Sequence, residues 1–155
     1  IREGLVTTRW PGRLELLSMQ PPVLLDGAHN FAGIVALRQA LQEEYTYRRL
    51  IVVLGVMADK DLRGMFLRLA PLAEHIILTR PTYERAAEPE SLRAVAGEFA
   101  ERTELIRPVG EALERAMGLA TSEDLVLVTG SLYFIGEVKE IQEEKNRANP
   151  VKYRG

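Results

Sequence analysis

A chain of 155 residues that is 46% hydrophobic and 27% charged holds enough apolar material for one domain with a core, and is too apolar to be disordered or fibrous. Its 20 basic and 22 acidic residues leave a net charge of −2, so no global field draws it to nucleic acid or an anionic membrane, and no apolar run approaches the roughly 18 residues of a membrane span. The lack of cysteine excludes disulfides and thiolate metal sites and fits a cytoplasmic location, and with only His29 and His75 no metal ligand is assigned.

Trp10-Pro11-Gly12 reads as a rigid entry turn, and residues 13–17 alternate polar and apolar as a strand with one wet face does. Met19-Gln20-Pro21-Pro22 is too short for a helical crossover, so the strand Val23-Leu24-Leu25 is expected antiparallel to the one before it. From there strand and helix alternate. A helix over 31–45 carries Ile34, Leu37 and Leu41, and Leu50-Ile51-Val52-Val53-Leu54 is a strand buried on both faces. The next helix shows Leu62, Met65, Phe66 and Leu69 at i, i+3, i+4 and i+7, before the strand His75-Ile76-Ile77-Leu78. Pro89 opens a helix with Leu92, Val95, Ala96 and Phe99 on one face, and Leu105-Ile106 is a short strand. A helix with Leu113, Ala116, Met117 and Ala120 leads to the last strand, Leu125-Val126-Leu127-Val128, and to a helix with Phe134, Val138 and Ile141. Residues 144–155 are polar and expected to fray. The alternation predicts an α/β fold: a Rossmann-like three-layer sandwich, with a mostly parallel six-stranded sheet and one antiparallel strand at its N-terminal end. Residues 1–155 are read as a single domain, with no linker or repeat.

In such a sheet the strand-to-helix turns share one edge, where ligands bind. Here they are residues 26–30 (Asp26-Gly27-Ala28-His29-Asn30), 55–61, 79–87 and 129–133, and three of the four are rich in glycine and ionisable groups. No G-x-x-x-x-G-K-[ST] loop, no G-x-G-x-x-G and no G-x-S-x-G is present, so a complete ATP- or NAD-using enzyme or a serine hydrolase gains no support.

Several motifs in order resemble the C-terminal domain of folylpolyglutamate synthase/dihydrofolate synthase, a branch of the Mur ligase superfamily. They are Trp10-Pro11-Gly12-Arg13-Leu14-Glu15, Leu25-Asp26-Gly27-Ala28-His29-Asn30, the run from Leu54 to Asp61, Arg85-Ala86 and Gly130-Ser131-Leu132-Tyr133, and the resemblance spans residues 10–137. It implies an ATP-dependent ligase that adds L-glutamate to a folate, or to dihydropteroate, through an acyl phosphate. It also implies an N-terminal ATPase domain of the same protein carrying the phosphate loop, the Mg²⁺ ligands and most of the folate pocket. The missing phosphate loop and the start at Ile1 rather than Met agree with a fragment of such a protein. A monomer is expected.

The resemblance assigns Arg13 and Asp26 to the nucleotide, as groups able to bond or stack on the base and to accept from ribose hydroxyls. His29 falls in the glutamate and acyl-phosphate region, Lys60 is the cation that neutralises transferring phosphate, and Ser131 opens a helix whose N–H groups suit a carboxylate. Each has a plainer reading: an edge-strand arginine, a turn aspartate, a helix-start histidine, a surface lysine and an N-cap serine. Asn30 is read as ordering its turn and His75 as structural. Arg85 ranks below the others, and Tyr133 and Phe134 are offered as walls of the glutamate pocket. Two alternatives stay open: a Mur-type ligase domain acting on a peptidoglycan precursor, and a non-catalytic α/β binding domain.

Overall fold

The computed structural model describes residues 12–149, so Trp10 and Pro11 of the expected entry turn lie outside the described residues. Six strands, β1 (Glu15–Met19), β2 (Pro22–Asp26), β3 (Leu50–Leu54), β4 (His75–Leu78), β5 (Thr103–Leu105) and β6 (Leu125–Thr129), form one sheet in the order β1-β2-β6-β3-β4-β5. β1 runs antiparallel to β2, pairing Glu15 with Leu25, and every other neighbour pair is parallel. The mixed sheet is the one the sequence predicts.

Among the described residues five α-helices cover it: α1 (Phe31–Glu43), α2 (Leu62–Leu69), α3 (Pro89–Arg93), α4 (Val109–Leu119) and α5 (Leu132–Ala148). Successive side chains of a strand point to opposite faces, so each central strand supplies two cores. Leu24, Val52, Leu54, Ile76 and Leu127 pack with α1, α2 and α3 around Ile34, Phe66 and Leu92. Val23, Leu25, Ile51, Val53 and Val128 pack with α4 and α5 around Leu113, Phe134 and Val138. β3 and β6 are buried along their whole length, which explains their unbroken apolar runs.

Two stretches depart from the periodic reading. The helix expected to carry Leu92 through Phe99 is broken: α3 stops at Arg93 and a 3-10 segment takes over at Gly97–Arg102. Gly97 adopts φ +55°, a left-handed turn closed to a continuing helix, while Leu92, Ala96 and Phe99 still reach the core. Conversely α5 continues past Glu143, so residues 144–148 are helical rather than frayed, with Lys145 and Arg147 in the last turn where cations suit the helix dipole. The expected tail beyond them, 150–155, lies outside the described residues.

At the N-terminal edge of the parallel strands, Asp124 is sealed from solvent against Arg49, with Nη2–Oδ2 at 2.8 Å, and accepts the Thr121 N–H at 2.8 Å. The side-chain hydrogen bond from Arg49 holds its carboxyl far below the usual range. This clamp fixes the starts of β3 and β6 and leaves the opposite edge for ligands.

Candidate functional site

The chain runs outward from β2 into α1 on one face and from β6 into α5 on the other, although β2 and β6 are neighbours. Their diverging exits open a crevice at the carboxyl ends of β2, β6 and β3. Close backbone packing shapes its floor. Gly130 sits at φ +131° with its α-carbon so near the Gly55 carbonyl that any Cβ would collide with it, and the Gly55 N–H donates to Thr129 O at 3.1 Å. Only glycine fits there.

A cleft of about 260 Å³ lies on this crevice. His29 comes from the β2–α1 turn, Met57, Asp59 and Lys60 from the β3–α2 turn, Tyr83 and Arg85 from the β4–α3 loop, and Ser131 with Leu132 and Tyr133 from the start of α5. Neither Lys60 nor Arg85 forms an ion pair with a described residue, so two cations face a space with one carboxylate, Asp59. That balance suits an anion.

The His29 ring is oriented by its own turn. Nδ1 lies 3.0 Å from the Gly27 carbonyl, which can only accept, so Nδ1 carries the proton and Nε2 is left for a ligand. Toward a carboxylate or phosphate, Nε2 is a donor only in the imidazolium form. Ser131 is buried and caps α5, its Oγ accepting the Phe134 N–H at 3.0 Å while its own proton can still be donated. Asp61 caps α2 through the Gly64 N–H at 3.0 Å, which sets Lys60 one residue before that cap.

Arg13 and Asp26 form a second group on the same edge. Arg13 Nε lies 3.7 Å from Asp26 Oδ2, with the arginine side chain 59% exposed and that of the aspartate 3%. Asp26 accepts the Ala28 N–H at 2.9 Å through one oxygen and the Leu14 N–H at 3.2 Å through the other. Burial pushes its carboxyl above the usual range, and these two N–H groups with the Arg13 charge pull it back. The carboxylate therefore orders the turn and holds Arg13, and the exposed guanidinium is the group in reach of a ligand. Leu132 separates this pair from the cleft: its Cδ2 lies 3.1 Å from where a Cβ on Gly12 would stand and fills the space beside Gly27.

All five residues singled out in the sequence thus share one edge, with His29, Lys60 and Ser131 in a common cleft. The sequence reading undervalued Arg85, which lines that cleft, and passed over Tyr83, which stacks on Tyr133 at 4.4 Å between ring centroids and 14° between planes. Nothing in a polar loop marks either one. What brings them in is a backbone bridge between Met57 and Ala86, with the Ala58 N–H on Arg85 O at 2.7 Å and the Ala87 N–H on Val56 O at 2.8 Å. Phe134, offered as a pocket wall, is fully buried in the α4–α5 core because it points back onto the sheet. Asn30 caps α1 through the Gly33 N–H at 2.8 Å, and His75 pairs with Glu104 at 2.9 Å, at the far edge.

In this doubly wound sheet with two cations facing the crevice at its switch point, residues 12–132 match the family of the Mur ligase, glutamate ligase domain, to which the chain belongs. Among its relatives is the dihydrofolate synthase/folylpolyglutamate synthase of Bacillus subtilis, 36% identical over 142 residues that make up 90% of this chain and 32% of that protein. Among solved structures it is similar to Mycobacterium tuberculosis folylpolyglutamate synthase complexed with ADP, with a TM-score of 0.82 and 31% identity over 91% of this chain and 34% of that one. It is also similar to the Yersinia pestis bifunctional folylpolyglutamate synthase/dihydrofolate synthase with Mn, AMPPNP and L-glutamate bound, with a TM-score of 0.78 and 25% identity over 92% of this chain and 34% of that one. The chain spans about a third of the length of these three relatives.

Proposed function

We propose that this chain is the C-terminal, glutamate-handling domain of a cytoplasmic, monomeric folylpolyglutamate synthase that joins L-glutamate to a folate at the cost of ATP. The observation that carries the reading is the cleft itself, where turns far apart in sequence bring His29, Lys60, Arg85 and Ser131 together. An incoming dicarboxylate fits this charge balance. The N-terminus of α5 and the Ser131 hydroxyl hold one carboxylate, and Arg85 faces the other. The amine is thereby left pointing at the activated acyl group. Lys60 neutralises charge on the transferring phosphoryl group, and His29, donating from Nε2, steadies the acyl phosphate. Arg13 meets the nucleotide from beyond Leu132, positioned by Asp26.

The ADP and AMPPNP of the solved relatives support a nucleotide here, and the manganese of one supports a divalent metal, taken as Mg²⁺. The metal ligands, the phosphate loop and most of the folate pocket are assigned to the rest of the protein. No helix among the described residues is long and apolar enough to cross a membrane. The N-terminal ATPase domain of the same polypeptide closes over the cleft and excludes water.

The test is glutamate-dependent ADP release by the full-length protein with a reduced folate and, separately, with dihydropteroate. Polyglutamylated product with the folate is expected, and product with both acceptors makes the enzyme bifunctional. No glutamate-dependent product with either overturns the reading. The chain by itself holds one wall of the site and is expected to show no turnover.

A further inference from the structure

The β4–α3 loop spans the cleft from one wall to the other, and its two attachments differ in kind. On the β3 side it is rooted by backbone: besides the Met57–Ala86 bridge, the Thr79 N–H donates to Leu54 O at 3.0 Å, and Pro81 packs against Gly55. Thr79 Oγ1 also donates to Arg107 O at 2.8 Å, and Arg80 pairs with Glu88 at 3.2 Å. On the α5 side no backbone-to-backbone bond is made among the described residues. Contact there rests on two side chains of α5 one turn apart, Tyr133 and Glu137. Tyr133 stacks on Tyr83, and Glu137 accepts the Thr82 N–H with Oε1 and the Thr82 hydroxyl with Oε2, both at 2.7 Å.

Glu137 does not line the cleft, and no step of the proposed chemistry calls on it. Its position gives it another task. Ser131 and Tyr133 belong to α5, whereas Met57, Lys60 and Arg85 belong to, or are bridged to, the β3 side. The pairing of β3 with β6 and the close approach of Gly130 to Gly55 fix those two walls at the floor, and the width at the mouth, where Tyr83 stands, is set by whatever fastens the loop tip to α5. A two-oxygen grip on both polar groups of one residue fixes a direction as well as a separation, which a single hydrogen bond does not.

We infer that Glu137, acting through Thr82, is a positioning residue that sets the width of the cleft and so its affinity for the amino-acid substrate. This deepens the ligase reading and rests on it. Loss of the grip lets the loop tip lift with Tyr83 away from Tyr133, while Arg85 stays held through the Ala58 N–H, and the loosened mouth weakens binding of the dicarboxylate. The Arg13–Asp26 pair, on the other side of Leu132, is untouched.

The experiment uses the full-length enzyme and steady-state kinetics with L-glutamate and ATP varied in turn. Glu137→Ala is expected to raise KM for L-glutamate about tenfold, the scale of one hydrogen bond to a charged acceptor, with KM for ATP unchanged within twofold. Thr82→Val, an exposed substitution that spares folding, keeps the backbone N–H and is expected to raise KM about threefold. Glu137→Gln, which can still accept through one oxygen, should fall between wild type and Glu137→Ala. The double variant should be no worse than Glu137→Ala, because both remove one interaction. An unchanged KM for L-glutamate in Glu137→Ala overturns the inference, as do multiplying effects in the double variant or an equal rise in KM for ATP. A wild-type enzyme that incorporates no glutamate overturns the ligase reading instead, so the two failures are distinct.

Discussion

Replacing Gly130 with alanine tests whether the floor of the crevice is as tightly specified as its geometry indicates. At φ +131° an L-residue is strained by about 1–3 kcal/mol. The new methyl also meets the Gly55 carbonyl, a backbone atom fixed between β3 and its turn, and relieving that overlap costs roughly another 1–3 kcal/mol. The sum is on the order of 4 kcal/mol, and at roughly 2–4 °C per kcal/mol for a chain of this size it lowers Tm by about 8–16 °C. Gly136→Ala is the internal control. Gly136 lies within α5 with nothing within 4 Å of an added Cβ, so alanine should gain about 0.5–1 kcal/mol from helix propensity. Urea unfolding of the two variants followed by circular dichroism gives both differences on one scale. Equal stability of Gly130→Ala and wild type, or a loss in Gly136→Ala matching that in Gly130→Ala, refutes the reasoning.

Asp124→Ala strips Arg49 of a sealed partner and leaves the Thr121 turn without its acceptor. Because Arg49 is partly exposed, the loss should be about 2–4 kcal/mol by urea unfolding, below that of a fully buried pair. The depressed carboxyl of Asp124 binds its proton more weakly in the folded state, so its stabilisation is full above about pH 4 and fades as pH falls through the folded value. Acid unfolding of Asp124→Asn should accordingly show a shallower limb below pH 4. In the full-length enzyme, Arg13→Ala and Asp26→Ala should each raise KM for ATP about five- to twentyfold, since one residue makes the contact and the other holds it, and unchanged kinetics in both remove the nucleotide assignment. Lys60→Ala should lower kcat by about 10²–10³ with a smaller change in KM, measured by single-turnover product formation; a change confined to KM would assign Lys60 to binding alone.

Much of this molecule is legible in its residue pattern because burial on both faces leaves no choice. Leu50 to Leu54 and Leu125 to Val128 are apolar at every position, which only a strand covered by helices on either side tolerates, and Pro21-Pro22 leaves no room for anything but a tight return. The turns that carry Asp26, His29, Lys60 and Ser131 could be picked out because strand ends in an alternating chain must share an edge, and the family resemblance chose these residues within them. The tertiary structure decided what local pattern does not encode. α3 stops at Arg93 although its periodicity runs on to Phe99, with Gly97 in a left-handed turn between them, and Lys145 and Arg147 sustain a helix whose apolar face has already ended. Arg85, Tyr83 and Glu137 acquire their places from a backbone bridge between Met57 and Ala86, and from a stacked pair and a two-oxygen grip across 50 residues or more of chain, contacts made by groups whose neighbours in sequence say nothing about them. Hydrophobic periodicity reports which side of an element is dry, and that fixes the layers. The polar side is free to point anywhere solvent reaches, so only the folded chain determines which charges meet in one cleft.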